Sequence, residues 1–181
     1  MELINNDNKI LLCSDFIDWI SSYSNNKKTL LEIGSGYSTT FFSNIFDKVV
    51  SYEDYDDWFD KIDNQIKNNN LKNIYLNKFD KNILHDTKFM SNTKNADFFL
   101  IDNSFYSKVS RFDFAKFIHN NKKENSIIIL DNGEYNIDAY EFLRENYYCL
   151  DFICDRYDNR FTQTTVFFKK RQKEKFKKSL I

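Results

Sequence analysis

Proline is absent from this chain of 181 residues and glycine occurs only three times, against usual frequencies of roughly 5% and 7%. No proline-rich linker can exist, and no motif that requires proline can be present. Twenty-three asparagines accompany the shortage. Proline and glycine use GC-rich codons whereas Asn, Lys, Ile, Phe and Tyr use AT-rich ones, so a nucleotide bias explains the pattern without reference to function. The glycines that survive such a bias are informative, because each more often marks a backbone position that other residues cannot occupy. Two of the three are Gly34 and Gly36. Apolar runs are also short, and none approaches the ~20 residues of a membrane-spanning helix. The opening MELINNDNKI has neither the basic start nor the apolar stretch of a secretory signal, so a cytoplasmic protein is expected. Three cysteines, Cys13, Cys149 and Cys154, form no C-x-x-C pair. Cys149 and Cys154 lie five apart in a strand-like run, hence on opposite faces, and free buried thiols are the expectation.

What is present is a hydrophobic fraction of 41%, with 18% aromatic residues, enough for one domain that buries about 70% of its unfolded surface. The expected layout is one domain over residues 1–170, including an N-terminal helix, and a basic tail over 171–181. Net charge is −1, but residues 169–181 carry seven Lys/Arg and one Glu, which leaves the preceding body at −7. An acidic body argues against a protein whose main task is holding nucleic acid. The terminal charge run most simply describes a solvated end, although it could meet an anionic partner.

Short apolar runs alternate with helical patterns, which implies an α/β fold. Ser14 is placed to cap a helix over 14–23 whose stripe is Phe16, Ile17, Trp19, Ile20 and Tyr23. Strands are predicted at 29–33, 48–53, 73–79, 96–102, 126–131, 147–154 and 164–170. Between them fall helices carrying Phe41, Phe42, Ile45 and Phe46, then Trp58, Phe59, Ile62 and Ile66, then residues 105–118, and finally 137–146. Residues 80–95 are polar with weak periodicity. The last two strands have no helical segment between them and should pair as an antiparallel hairpin at the sheet edge.

The first strand runs into Glu32, Ile33, Gly34, Ser35, Gly36, Tyr37 and Ser38. Glycines there allow a sharp turn and close approach of a ligand to the backbone, with the next helix starting at the same place. Nineteen residues after Gly34 the second strand ends in Glu53, placed to accept both hydroxyls of a ribose across the strand ends. A nucleoside-containing ligand is indicated. One G-x-G alone is a weak signal, but strand, E-x-G-x-G, helix, strand and acid occur here in one register.

On LLEIGSGYST (30–39), YED (52–54), ADFFLID (96–102), IIILDN (127–132) and the closing hairpin, the chain resembles the class I S-adenosylmethionine-dependent methyltransferases. It looks most like small G-S-G-x-S-T domains of that type. The resemblance implies a Rossmann-like seven-stranded sheet of order 3-2-1-4-5-7-6, last strand antiparallel, with helices on both faces. It further implies that Glu32, Gly34, Ser35 and Gly36 contact the methionine part of S-adenosylmethionine, that Tyr37 and Ser38 also belong to the cofactor-binding set, and that Glu53 holds the ribose. Asp80 would meet the adenine amino group, and Asp102 would lie beside the transferred methyl as the catalytic residue. A small-molecule or sugar-type acceptor is implied more than nucleic acid. Asp102, Asp131 and Asn132, at the tips of adjacent strands, are hard ligands suited to Mg²⁺, as in catechol-type O-methyltransferases. The lysine expected three residues after Asp102 is Phe105, however, and Asp131 and Asn132 could equally cap a turn. Tyr106, Tyr135 and Tyr157 are candidates for lining an acceptor pocket, with chance placement as the competing explanation.

Two other readings compete. A dinucleotide dehydrogenase would have a third glycine where Thr39 stands, and would not place Glu32 where pyrophosphate is held. A non-catalytic cofactor-binding or assembly domain would keep the fold without turnover, and the absence of any N-P-P-Y or C-x-x-C signature leaves room for it.

Overall fold

The computed structural model describes residues 10–23, 28–155 and 161–169; Tyr157 and the basic tail 171–181 lie outside them. Seven strands form one sheet: β1 (Thr29–Ile33), β2 (Lys48–Glu53), β3 (Ile74–Lys78), β4 (Phe98–Ile101), β5 (Ile127–Asp131), β6 (Tyr148–Asp155) and β7 (Phe161–Phe168). Their order is β3-β2-β1-β4-β5-β7-β6, as the resemblance implies. The pairs β1·β2, β1·β4, β2·β3 and β4·β5 are parallel, while β7 runs antiparallel to both β5 and β6. Among the described residues α1 (Ser14–Tyr23) precedes the sheet, and α2 (Tyr37–Phe42), α3 (Asp56–Asn68), α4 (Thr87–Asn95), α5 (Arg111–Asn121) and α6 (Ile137–Asn146) connect its strands.

Strand alternation divides the core into two layers. Leu30, Val49, Phe98, Leu100, Ile129 and Val166 point to one side, against Phe16, Trp19 and Ile20 of α1 and Phe42 of α2. Leu31, Ile33, Val50, Phe99, Ile101, Ile128 and Phe167 point to the other, against Phe89 of α4, Phe114 and Ile118 of α5 and Leu143 of α6. A sheet covered on both faces explains why the central strands read as continuous apolar runs rather than alternating ones. Among the described residues, no helix is long and apolar enough to cross a membrane.

Three local expectations are corrected. Residues 80–95, polar in sequence, contain α4: Asp86 caps it by accepting from the Phe89 amide at 2.6 Å, and Phe89 and Thr93 suffice to bury one side. The predicted helix 105–118 begins only at Arg111, because Ser110 is its N-cap and accepts from the Asp113 amide at 3.1 Å. Cys13 and Cys154 are not free thiols but a disulfide between the start of α1 and β6, with Cα atoms 5.5 Å apart. Cys149 is free and faces the opposite layer from Cys154.

Candidate functional site

At the carboxyl ends of β1, β2 and β4 lies a cavity of about 840 Å³, walled by Gly34, Ser35, Gly36, Tyr37 and Ser38, by Glu53, Asp54 and Tyr55, and by Asp102. Trp58 and Lys61 of α3, Leu11 and Leu12 before α1, and Ser104, Tyr106, Ser107 and Lys108 after β4 complete it. The β1–α2 turn is built around Gly34, whose φ of +89° lies in the left-handed region. Its amide donates to the Tyr52 carbonyl at 2.8 Å. A Cβ on Gly34 would stand 2.5 Å from the Asp102 carbonyl oxygen and 2.6 Å from the Asn103 nitrogen, so the turn and the β4 tip touch backbone to backbone. Gly36 is extended, with φ −164°, and its backbone would accept other residues.

Glu32 does not line the cavity. It lies on the same strand face as Leu30, pointing under α2, and is fully buried. Its carboxylate accepts from Ser38 at 2.8 Å, Thr39 at 2.6 Å and Ser51 at 2.7 Å, the last being its register partner on β2. Burial outweighs these donors and pushes its pKa up to about 7. The carboxylate therefore anchors the glycine turn from behind and does not line the cavity.

Glu53 does reach the cavity. One oxygen, Oε2, accepts from the Ser35 amide at 2.8 Å and its hydroxyl at 3.1 Å; the other accepts from the amides of Asp54 at 3.0 Å and Tyr55 at 2.9 Å. Burial raises its pKa against those four donors. Next to it, the Asp54 carboxylate accepts from Ser107 Oγ at 2.9 Å and the Lys108 amide at 2.7 Å. These bonds draw the β4–α5 loop across the β2 tip. Asp80, assigned above to adenine, is not in this cavity; it is exposed and closes its own turn onto the Asn82 amide at 2.8 Å. It borders a separate cleft of about 670 Å³ with Lys78, His85, Asp86 and Lys88.

Asp102 lines the cavity, its side chain 25% exposed, and its Oδ1 accepts from Arg111 at 3.1 Å. Arg111, 6% exposed, also donates to the carbonyls of Asn103, at 2.8 Å, and of Asp131. The guanidinium thus fills the space between the tips of β4 and β5. Asp131 turns its carboxyl toward β7, accepting from Thr164 at 2.7 Å, and Asn132 Nδ2 donates to Thr162 at 2.9 Å. Burial, and then the Asp102 charge, raise the Asp131 carboxyl well above its ordinary value. The Mg²⁺ arrangement is therefore not formed: the three side chains diverge, and a cation from the chain already stands among them. Among the described residues no group of three His, Cys, Asp or Glu side chains could hold a metal ion.

Arg111, Asp54, Trp58 and Lys61 were not assigned to the site from sequence. Trp58 and Phe59 both belong to the apolar set of the predicted helix that also carries Ile62 and Ile66, but adjacent helical residues cannot share the centre of one stripe, and Trp58 donates through Nε1 to the Ser35 carbonyl. Lys61 Nζ sits 4.5 Å above its ring and 5.0 Å above that of Tyr37. The spacing Ser110-x-x-Asp113 was a legible capping signal that would have placed Arg111 at a helix start. Of the tyrosine candidates, Tyr106 lines the cavity and is 97% exposed, whereas Tyr135 packs edge-on to Phe105 outside it.

No protein-family model and no curated protein sequence matches the chain. Solved structures do. A precorrin-6y C5,15-methyltransferase from Geobacter metallireducens is similar at 14% identity and TM-score 0.68, over 92% of this chain and 96% of that one. A putative tRNA (m1A22) methyltransferase from Streptococcus pneumoniae, in complex with S-adenosyl-L-methionine, is 11% identical at TM-score 0.64, over 87% and 73%. A putative methyltransferase from Streptococcus mutans, in complex with S-adenosylhomocysteine, is 14% identical at TM-score 0.60, over 88% and 99%. With the strand order and the antiparallel β7, these likenesses establish that the chain has the fold of the class I S-adenosylmethionine-dependent methyltransferases.

Proposed function

We propose that this cavity binds S-adenosylmethionine and that the protein transfers its methyl group to a small-molecule acceptor. The observation that carries this reading is convergence: the Gly34 turn, the Glu53 carboxylate and Asp102 come from three strand tips and meet in one cavity, which has room for a nucleoside with an amino-acid arm. Two similar structures are complexes with S-adenosylmethionine or S-adenosylhomocysteine, which supports the same ligand here.

When bound, the cofactor supplies a sulfonium-activated methyl group. The chain supplies binding and orientation. Glu53 takes a ribose hydroxyl; of its four donors the Ser35 hydroxyl is the one on a free rotor, so it is the donor that a ribose hydroxyl replaces. Gly34 and Gly36 let the amino-acid arm lie against bare backbone, and Asp102 borders that arm and the methyl. Exposed Phe105, Tyr106 and Tyr135 near the β4 and β5 tips suit a compact acceptor with apolar surface. The acidic body supports a small acceptor over a polyanion.

Glu53→Ala is expected to weaken S-adenosylhomocysteine binding by about 1.5 to 3 kcal/mol, the usual range for hydrogen bonds to a charged group. Titration calorimetry on wild type and variant checks this, and equal affinities would remove Glu53 from the ribose. Turnover of S-adenosylmethionine with candidate acceptors then separates an enzyme from a binding domain.

A further inference from the structure

We infer that Arg111, outside the cavity, is the positioning residue that sets the Asp102 carboxylate to receive the ammonium of the cofactor's amino-acid arm; this rests on the reading that the cavity binds S-adenosylmethionine. Glu32 is fully buried beneath α2, so among the acids around the glycine turn Asp102 is the one that both borders the cavity and stands against Gly34. Glu53 is engaged by four donors on the ribose side, and Asp54 by the Ser107 hydroxyl and the Lys108 amide.

A carboxylate on a strand tip can rotate unless something holds it. Arg111 holds this one: Nη2 donates to Asp102 Oδ1, while Nε and Nη1 are fixed on the carbonyls of Asn103 and Asp131. The guanidinium fork is rigid, so anchoring two arms on the β4 and β5 tips determines where the third points. Burial of Arg111 removes the competing water that would loosen such a contact on the surface. The side chain itself is held from α5, whose start is fixed by the Ser110 cap, and its outer face is covered by the Phe105 ring at 5.9 Å.

The test uses two probes on the full chain: S-adenosylhomocysteine, which carries the amino-acid arm, and 5′-methylthioadenosine, which lacks it. Calorimetry is expected to show Arg111→Lys and Asp102→Asn each weakening S-adenosylhomocysteine about tenfold, the range for one charged hydrogen bond, with methylthioadenosine affinity unchanged within about twofold. In the Asp102→Asn background, Arg111→Lys should cost nothing more, because its effect runs through that carboxylate. Should Arg111→Lys fail to fold by thermal melting, Asp102→Glu serves instead. It keeps the charge but displaces it from the fork, and should lose S-adenosylhomocysteine affinity as Asp102→Asn does. Equal losses for both probes, additive losses in the double variant, or full affinity in Asp102→Glu would overturn the inference. Failure of the wild type to bind either probe would instead overturn the cofactor reading.

Discussion

Gly34→Ala is expected to destabilise the protein by about 3 to 5 kcal/mol, a large share of the roughly 5 to 15 kcal/mol that holds a typical domain together. Two costs combine. At φ +89° any L side chain is strained, and the added carbon would meet the Asp102 carbonyl and the Asn103 nitrogen at 2.5 to 2.6 Å. Neither is a flexible side-chain end that could step aside, so β1 and β4 would have to part at the site itself. Gly36→Ala is the control: its backbone is already extended and the nearest atom stands at 3.4 Å, so a loss under about 1 kcal/mol is expected. Urea unfolding of both variants checks the contrast, and a Gly34→Ala midpoint equal to that of Gly36→Ala would contradict it.

The second large effect concerns Glu32 and pH. With its folded-state pKa near 7 and an ordinary value of 4.5, the native protein keeps a proton that the unfolded chain releases between those limits. Stability is therefore highest below about pH 4.5 as far as this group is concerned. It falls as pH rises through the window, and is lower by about 3 kcal/mol above pH 7. Glu32→Gln keeps the shape and removes the charge, and the hydroxyls of Ser38, Thr39 and Ser51 can accept as well as donate. The variant should match wild type near pH 4.5 and exceed it by up to about 3 kcal/mol at pH 8, read from chemical denaturation at the two pH values. S-adenosylhomocysteine affinity should stay within about twofold of wild type, because the carboxylate lies outside the cavity. Parallel stability profiles would show that Glu32 titrates normally, and a large loss of affinity would return it to the cofactor.

Those two residues also show where sequence was sufficient and where it was not. The survival of Gly34 in a chain nearly stripped of glycine pointed to a special backbone position, and the positive φ supplies the reason. Strands β1 and β2 and helices α1 and α6 have the predicted limits, since their apolar stripes and flanking polar residues are unambiguous. β7 starts three residues early, at Phe161, because an edge hairpin can extend ladder bonds through polar residues such as Thr162 and Gln163 that carry no apolar signal. Glu32 belongs to the same motif, but its side chain does not line the cavity. Strand alternation sends its side chain the way of Leu30 and Ser51, beneath α2, where Ser38 and Thr39 bind it and bury it. Asp131 and Asn132 were legible as strand-tip polar groups, but their partners, Thr164 and Thr162, sit on a strand 33 and 30 residues later. Arg111 was invisible for the same reason: its role depends on carbonyls of two other strand tips, which no local pattern records.

Crystals soaked with S-adenosylhomocysteine test the central claim most directly. The account predicts the amino-acid arm against Gly34, Ser35 and Gly36 with its ammonium on Asp102, and a ribose hydroxyl on Glu53 in the place of the Ser35 hydroxyl, which turns away. A ligand bound elsewhere, or an empty cavity at saturating concentration in a properly folded protein, would contradict it.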